Sequence, residues 1–269
     1  VGRKLLNNPY INKNDTRMTP NSFEAAMLQG VVGDVKGDGQ WRFGLGYVDE
    51  IKTKTSEIFV SMAEAAGAPD GVERGVSAGG VNYQRGNFSI GAVDYYSNDI
   101  INIFYTEGKY GIPLDGEMKL KFAAQYTDQQ SNGQELLGNF STNQWGVKSE
   151  LGIGAALFSI AYTDTSDNYK MQNPWSSYPG DTSVQVEDFN RAGESAVLLR
   201  TGYDLTQVGW EGVSVYALWV EGSGVEGGAC PLPFGIFGGE FEAQRAGLDR
   251  EPQADRAIRR KWQVVFEQF

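Results

Sequence analysis

The chain has no histidine among its 269 residues, only one cysteine, and an excess of acid over base. Without histidine there can be no Ser–His catalytic pair and no imidazole metal site. Cys230 has no second cysteine to bond, so an internal disulfide is excluded. Lys and Arg number 23 against 34 Asp and Glu, a formal charge of −11. That balance argues against nucleic acid, which needs a basic footprint. No apolar run approaches the ~18 residues a membrane helix requires. An acidic pair such as Asp181 with Glu187 could serve sugar hydrolysis in principle, but nothing in the spacing supports it. No catalytic residue, metal site or cofactor is expected, and the chain reads as a non-enzyme.

What is plentiful points to β structure. Thirty-five glycines against nine prolines suit tight turns, and 13 tyrosines with six tryptophans suit aromatic girdles. The sharpest stretch is 116–128. There Met118, Leu120, Phe122, Ala124 and Tyr126 alternate with Lys119, Lys121, Ala123, Gln125 and Thr127. Strict period two means one apolar and one polar face. The lysines would be costly to bury in a packed core. Three settings fit: a soluble sandwich, a small barrel, or a membrane barrel with its apolar face outward. A mean hydropathy of −0.38 does not separate them, because half of each barrel strand faces water.

The same alternation recurs along the chain. Residues 1–21 read as a loop and 23–32 as a strand, followed by a glycine-rich turn at 34–40. Trp41, Phe43, Leu45 and Tyr47 then oppose Arg42, Gly44 and Gly46. Residues 53–73 form an excursion with a helical turn near 61–66. Strands are expected to about residue 84, at 88–96 and at 101–110, with a bulge near Val93 where alternation blurs. Further strands carry Trp145, Val147 and Leu151 against Lys148 and Glu150, then Phe158, Ile160 and Tyr162. A loop of about thirty residues, 165–194, follows. The last two clear strands set Leu199 and Tyr203 against Arg200 and Asp204, then place Val213, Val215, Ala217 and Trp219 on one face.

Connections alternate in length. Segments 1–21, 53–73, 129–139 and 165–194 are long, with 97–99 the exception. Segments 34–40, 85–87, 112–116, 152–154 and 206–212 are short. Long loops at one end and tight turns at the other mark an up-and-down membrane barrel, whereas a sandwich mixes its ends through Greek-key crossovers. The fold class is therefore all-β, an antiparallel up-and-down transmembrane β-barrel. An all-β binding module, soluble or membrane-associated and without transport activity, is the rival reading.

Two blocks of sequence carry a resemblance. The first runs Asn7-Asn8-Pro9-Tyr10-Ile11-Asn12 and Asp15-Thr16-Arg17-Met18-Thr19-Pro20-Asn21-Ser22-Phe23-Glu24. The second holds Asn173-Pro174-Trp175-Ser176-Ser177-Tyr178-Pro179-Gly180 and continues with Ser183-Val184-Gln185-Val186-Glu187-Asp188-Phe189-Asn190-Arg191-Ala192-Gly193-Glu194. The chain resembles the OprD-like outer-membrane porins over about residues 3–224. The resemblance implies an eighteen-stranded barrel in the outer membrane of a Gram-negative bacterium. It also implies inward-folded loops and a narrow pore in which lumen arginines and lysines guide carboxylate-bearing solutes. Only about ten or eleven strands are legible here, so a partial barrel is expected, with an open sheet whose first or last strand lacks a partner. The chain opens on Val1 without a signal peptide, which reads as a processed chain or a fragment. Residues 1–224 form the expected porin region. Residues 225–269 diverge, with charges at 256–261 that fit a lipid-facing strand poorly; 262–269 is a candidate last strand.

The candidate translocation residues are basic and lie on polar strand faces: Arg42, Lys119, Lys121, Lys148 and Arg200. Arg17 joins them through its motif, as part of an early inward loop. Arginine offers a planar fork to a carboxylate and lysine a point charge. The competing reading is a solvated wall whose charges pair with Glu150 or Asp204. Trp175, Tyr178 and Asp181 are constriction candidates in the long loop. For the two aromatics the alternative is packing that ties the loop into the barrel mouth. Asp181, Glu187 and Asp188 could neutralise the basic track or simply face solvent. The expected partners are a small carboxylate or amino acid and outer-membrane lipid; a homotrimer is compatible with the sequence.

Overall fold

The computed structural model describes residues 1–14, 19–185, 187–225 and, for the backbone alone, 257–268. Strand β1 is Gly2–Lys4, followed by β2 (Ser22–Asp34), β3 (Gly39–Lys52) and the two-residue β4 (Val60–Ser61). Helix α1 (Met62–Ala65) is a single turn capped by the Ser61 hydroxyl, which accepts from the Glu64 N–H. Then come β5 (Val76–Arg85), β6 (Phe88–Ser97), β7 (Ile101–Pro113), β8 (Met118–Gln130), β9 (Ser141–Ile153), β10 (Ala156–Thr165), β11 (Ser195–Asp204), β12 (Val213–Val225) and β13 (Ala257–Gln268).

These elements make one antiparallel sheet in which each strand pairs with its sequence neighbour; only β4 lies off the path, on β3. Among the described residues no ladder joins β1 or β2 to β13, so the sheet is open. The tight hairpins follow from glycine. Gly86 and Gly154 take positive φ at the first position of two-residue loops closed by Arg85↔Phe88 and Ile153↔Ala156. These two-residue turns lie at one end of the sheet, whereas the tight 98–100 turn between β6 and β7, with Asp99 at positive φ, lies at the other. The segments 53–59, 131–140 and 166–194 lie at that second end.

The outer face is the apolar one. Trp41, Phe43, Leu45, Tyr47, Phe122, Tyr126, Phe158 and Ile160 are all exposed, Leu45 by 65% and Ile160 by 51%. Neighbouring strands extend the band through register, as in the row Tyr110↔Phe122↔Ser149↔Ile160↔Leu199↔Trp219.

The buried core lies on the inner face, at the long-loop end. Tyr10, Ile11, Phe23, Ile51, Met62, Tyr95, Ile101, Ile103, Trp175 and Tyr178 pack there. This corrects the expectation of a bulge near Val93. Register runs unbroken through Gly80↔Val93↔Tyr105. Alternation blurs because Val93 and Tyr95 point inward yet are apolar, serving the loop core. Register shifts occur instead between Glu24 and Ala25 and between Gly222 and Val225.

A second correction concerns the charged run at 256–261. Arg259, Arg260 and Lys261 belong to β13 and pair with Gly222, Glu221 and Val220. Those partners sit at the long-loop end of β12, so the charged run is part of a strand and not of a loop.

Candidate functional site

At the long-loop end two segments fold inward against the wall, residues 5–14 and the described residues of 166–194. Their docking is specific. The Trp175 indole donates to the Met62 carbonyl (2.9 Å), and the Ser176 hydroxyl donates to the Asn12 carbonyl (2.8 Å). Tyr10 meets Tyr105 and Tyr178 edge-on at 6.3 and 6.2 Å between ring centres. The Tyr178 hydroxyl donates to Gln144. Gln129 grips the loop backbone at both ends of its amide: it accepts from Gln172 N–H (2.7 Å) and donates to Gln172 C=O (2.8 Å). Gln125 does the same one step lower. In the orientation that satisfies both ends of its amide it donates to the Pro179 carbonyl and accepts from the Asp181 N–H, each at 2.9 Å. Burial pushes the Tyr10 and Tyr178 phenols far above their ordinary range, so both stay neutral donors.

Below this plug the inner wall is polar and charged, and register sorts its residues into rows. Lys119 pairs with Gly152 across β8 and β9. The next row runs Lys121↔Glu150↔Ser159↔Arg200. Above it comes Lys109↔Ala123↔Lys148↔Ala161. Arg42 lies in the row above that, Arg42↔Asn82↔Gly91↔Glu107↔Gln125. Successive rows on one strand are about 7 Å apart, twice the rise per residue.

The bases differ in whether a carboxylate already holds them. Lys109 Nζ lies 2.7 Å from Glu107 Oε1, and Lys148 Nζ lies 3.3 Å from Glu150 Oε1. Arg42 donates to the Gln40 amide oxygen (2.8 Å), and the Arg200 guanidinium stacks on Tyr216 at 4.0 Å. Among the described residues no carboxylate pairs with Arg42, Lys119, Lys121 or Arg200.

The tip of the 166–194 loop lies against this wall. Asp181, Lys148, Glu150 and Arg200 line one cleft of about 340 Å³. Burial raises the Asp181 carboxyl above its ordinary range; Lys148 pulls against that shift and Glu107 adds to it. Asp188 is also raised by burial, opposed by the Ser183 hydroxyl that donates to it at 2.7 Å.

The sequence-derived candidates are thus spread over the structure. Lys119, Lys121, Lys148 and Arg200 share one stretch of wall across β8 to β11. Arg42 stands apart on β3, five strand spacings from Lys148 along the sheet, or roughly 24 Å. Arg17 lies outside the described residues. Asp181 lines the cleft. Trp175 and Tyr178 are buried, exposed by only 2% and 6%, and they fasten the loop. Sequence reasoning passed over Lys109, Glu107 and the docking amides Gln125, Gln129 and Gln144. The signal for the amides was present on β8, whose polar face changes from lysine to glutamine partway up.

Comparison with known proteins accounts for this architecture. A family described as outer membrane porin, OprD family, matches residues 1–259. Porin D of Pseudomonas aeruginosa is 25% identical over 139 residues, covering 48% of this chain and 31% of that protein. Two crystal structures from Pseudomonas aeruginosa superpose closely. OpdL gives a TM-score of 0.73 at 18% identity, covering 84% of this chain and 62% of that one. OpdK, solved with vanillate, gives 0.68 at 17% identity, covering 82% and 58%. The chain therefore spans under two thirds of the length of these relatives. Family and fold are those of outer-membrane transport channels of Gram-negative bacteria rather than of enzymes, and the exposed outer band is the lipid-facing one. The chain belongs to the OprD family of outer membrane porins.

Proposed function

We propose that this chain forms the selective wall of a passive outer-membrane channel for small carboxylate-bearing nutrients, including amino acids. The observation that carries the reading is the split among the inward bases. Lys109 and Lys148 are held by glutamates, whereas Arg42, Lys119, Lys121 and Arg200 are left without a carboxylate among the described residues. An anion entering a narrow pore loses hydration, and bases in successive rows can replace it stepwise. Each site must be strong enough to admit the solute and weak enough to release it. A charge-assisted contact contributes on the order of 1.5–3 kcal/mol. The vanillate bound to OpdK is itself a carboxylate, which agrees with the proposed solute class. The solute is a small molecule, lipid covers the outer band, and a homotrimer fits the exposed outer face.

Liposome swelling with a matched acid and neutral sugar tests this. Arg42→Gln or Lys121→Gln should slow the acid about tenfold or more and leave the sugar nearly unchanged, as loss of one such contact requires. Equal slowing of both solutes would mean that these residues only set pore width.

A further inference from the structure

The outer face carries a feature that passage through the lumen does not use. Its band of large side chains is broken by small ones. Gly108, Ala124, Ser149, Thr201 and Ala217 share the outward parity of Phe122 and Ile160. From β7 to β12 they step toward the tight-turn end, through the rows Gly108↔Ala124↔Val147, Phe122↔Ser149↔Ile160 and Phe158↔Thr201↔Ala217. Two apolar clefts follow. One of about 590 Å³ lies over Gly108, Ala124 and Val147. The other, of about 470 Å³, lies over Thr201 and Ala217, beside Phe158 and Trp219. Ser149 and Ile160 line both, so the clefts meet there as two arms of one furrow. Above the junction, toward the long loops, the surface becomes polar and aromatic. Tyr162 lines the upper arm, and its ring centre lies 5.3 Å from that of Trp145. The Tyr162 and Ser195 hydroxyls both donate to Asp164 Oδ1, at 3.4 and 2.6 Å. Trp145 stands opposite Asp164 in register and is 42% exposed. Among the described residues no cation pairs with Asp164.

We propose that the furrow and the patch above it bind one glycolipid of the outer leaflet, with an acyl chain in each arm and the sugar headgroup on Trp145 and Asp164. The furrow is cut into the lipid-facing band, so its occupant comes from the membrane. The long loops of such barrels face outward from the cell, which places Trp145 and Asp164 in the outer leaflet. An indole suits the headgroup level, with an apolar face and a polar edge. A carboxylate only accepts hydrogen bonds: it welcomes a sugar hydroxyl and repels a phosphate. A second copy of this chain fits less well. It would bring the same furrow rather than a ridge to fill it, and it would bury Asp164 without a cation.

The test is native mass spectrometry of the detergent-solubilised channel formed by the full chain, titrated with rough lipopolysaccharide. EDTA is present throughout, so that a cation bridge cannot carry the binding. One lipid per chain should bind. Ser149→Trp fills the junction from the lipid side and should weaken binding about tenfold, the effect of losing roughly 55 Å² of apolar contact. Asp164→Ala should weaken it about tenfold as well, through loss of a charge-assisted hydrogen bond. Leu28→Trp is the control, an outward position on β2 that is 70% exposed and lies outside the furrow, and it should change nothing. Single-channel conductance should stay the same in all three variants. If no lipopolysaccharide binds, or if Leu28→Trp weakens it as much as Ser149→Trp, the furrow is not the site. If phosphatidylethanolamine binds as tightly, the headgroup donor is an ammonium and the sugar assignment falls. If Ser149→Trp instead splits an oligomer into single chains, the occupant is a second copy of this chain.

Discussion

The two ends of the β8 inner face differ as sharply as two different proteins. Lys119 and Lys121, near the tight turns, are exposed. Gln125, Thr127 and Gln129, further up the same face, are buried. The backbone is regular throughout, so the difference comes from what lies opposite. At the lower end the lysines are open to solvent on the inner side of the sheet. At the upper end the amides face the backbone of the inward loop and take over the pairing that a neighbouring strand would provide. A buried unpaired amide or peptide group costs about 1–3 kcal/mol. The upper half therefore works only with the loop in place, whereas the lower half needs only water.

The strongest way to break this contrast is to release the loop. Trp175→Ala removes a fully packed indole and its bond to Met62, a loss of about 3–5 kcal/mol for such a truncation. The expected outcome is a lower unfolding midpoint in detergent and a larger, noisier conductance. Unchanged conductance would show that the loop stays docked without its indole.

Proton concentration should tune the contrast less strongly. Burial raises the Asp181 carboxyl, so the docked state binds its proton more readily than an undocked or unfolded chain does. Docking is then favoured as pH falls through the raised value and loses that contribution as pH rises above it. Neutral Asp181 also removes a negative charge from the cleft shared with Lys148 and Arg200. Anion preference, read from the reversal potential, should therefore increase as pH falls from neutral toward the ordinary carboxylate range. In Asp181→Asn that increase should be much reduced. A wild-type shift that survives in the Asn variant would place the titrating group elsewhere.

The smallest effect belongs to the lower wall's internal pair. Lys148 and Glu150 are both partly exposed, and such pairs contribute about 0–1 kcal/mol. Lys148→Gln with Glu150→Gln should leave the unfolding midpoint nearly unchanged and alter acid flux by less than about twofold. A large loss would mean that the pair shapes the path, and that its charge is not already spent internally.

How much of this was legible in the sequence follows the same division. The outer band could be read because lipid asks only for apolar character, and period two displays it; Trp41 to Tyr47 and Met118 to Tyr126 needed no tertiary information. The orientation of Arg42, Lys119, Lys121, Lys148 and Arg200 follows from the same parity. What parity cannot give is the partner across the lumen. Val93 and Tyr95 look irregular until Tyr10 and Trp175 are placed against them. Gln129 looks like ordinary wetted polarity until Gln172 arrives from 43 residues away. The pairing of Lys109 with Glu107 is local, two residues apart on one strand face, and could have been read from spacing.

The Gln129 latch has a consequence for how such a channel diversifies. It grips the main chain at residue 172 and ignores the side chain there. Any residue with an N–H satisfies it; proline alone among the standard residues would not. Mutation can therefore change residue 172 while this latch stays constant, a freedom that Trp175, Ser176 and Tyr178, which anchor through their side chains, do not have.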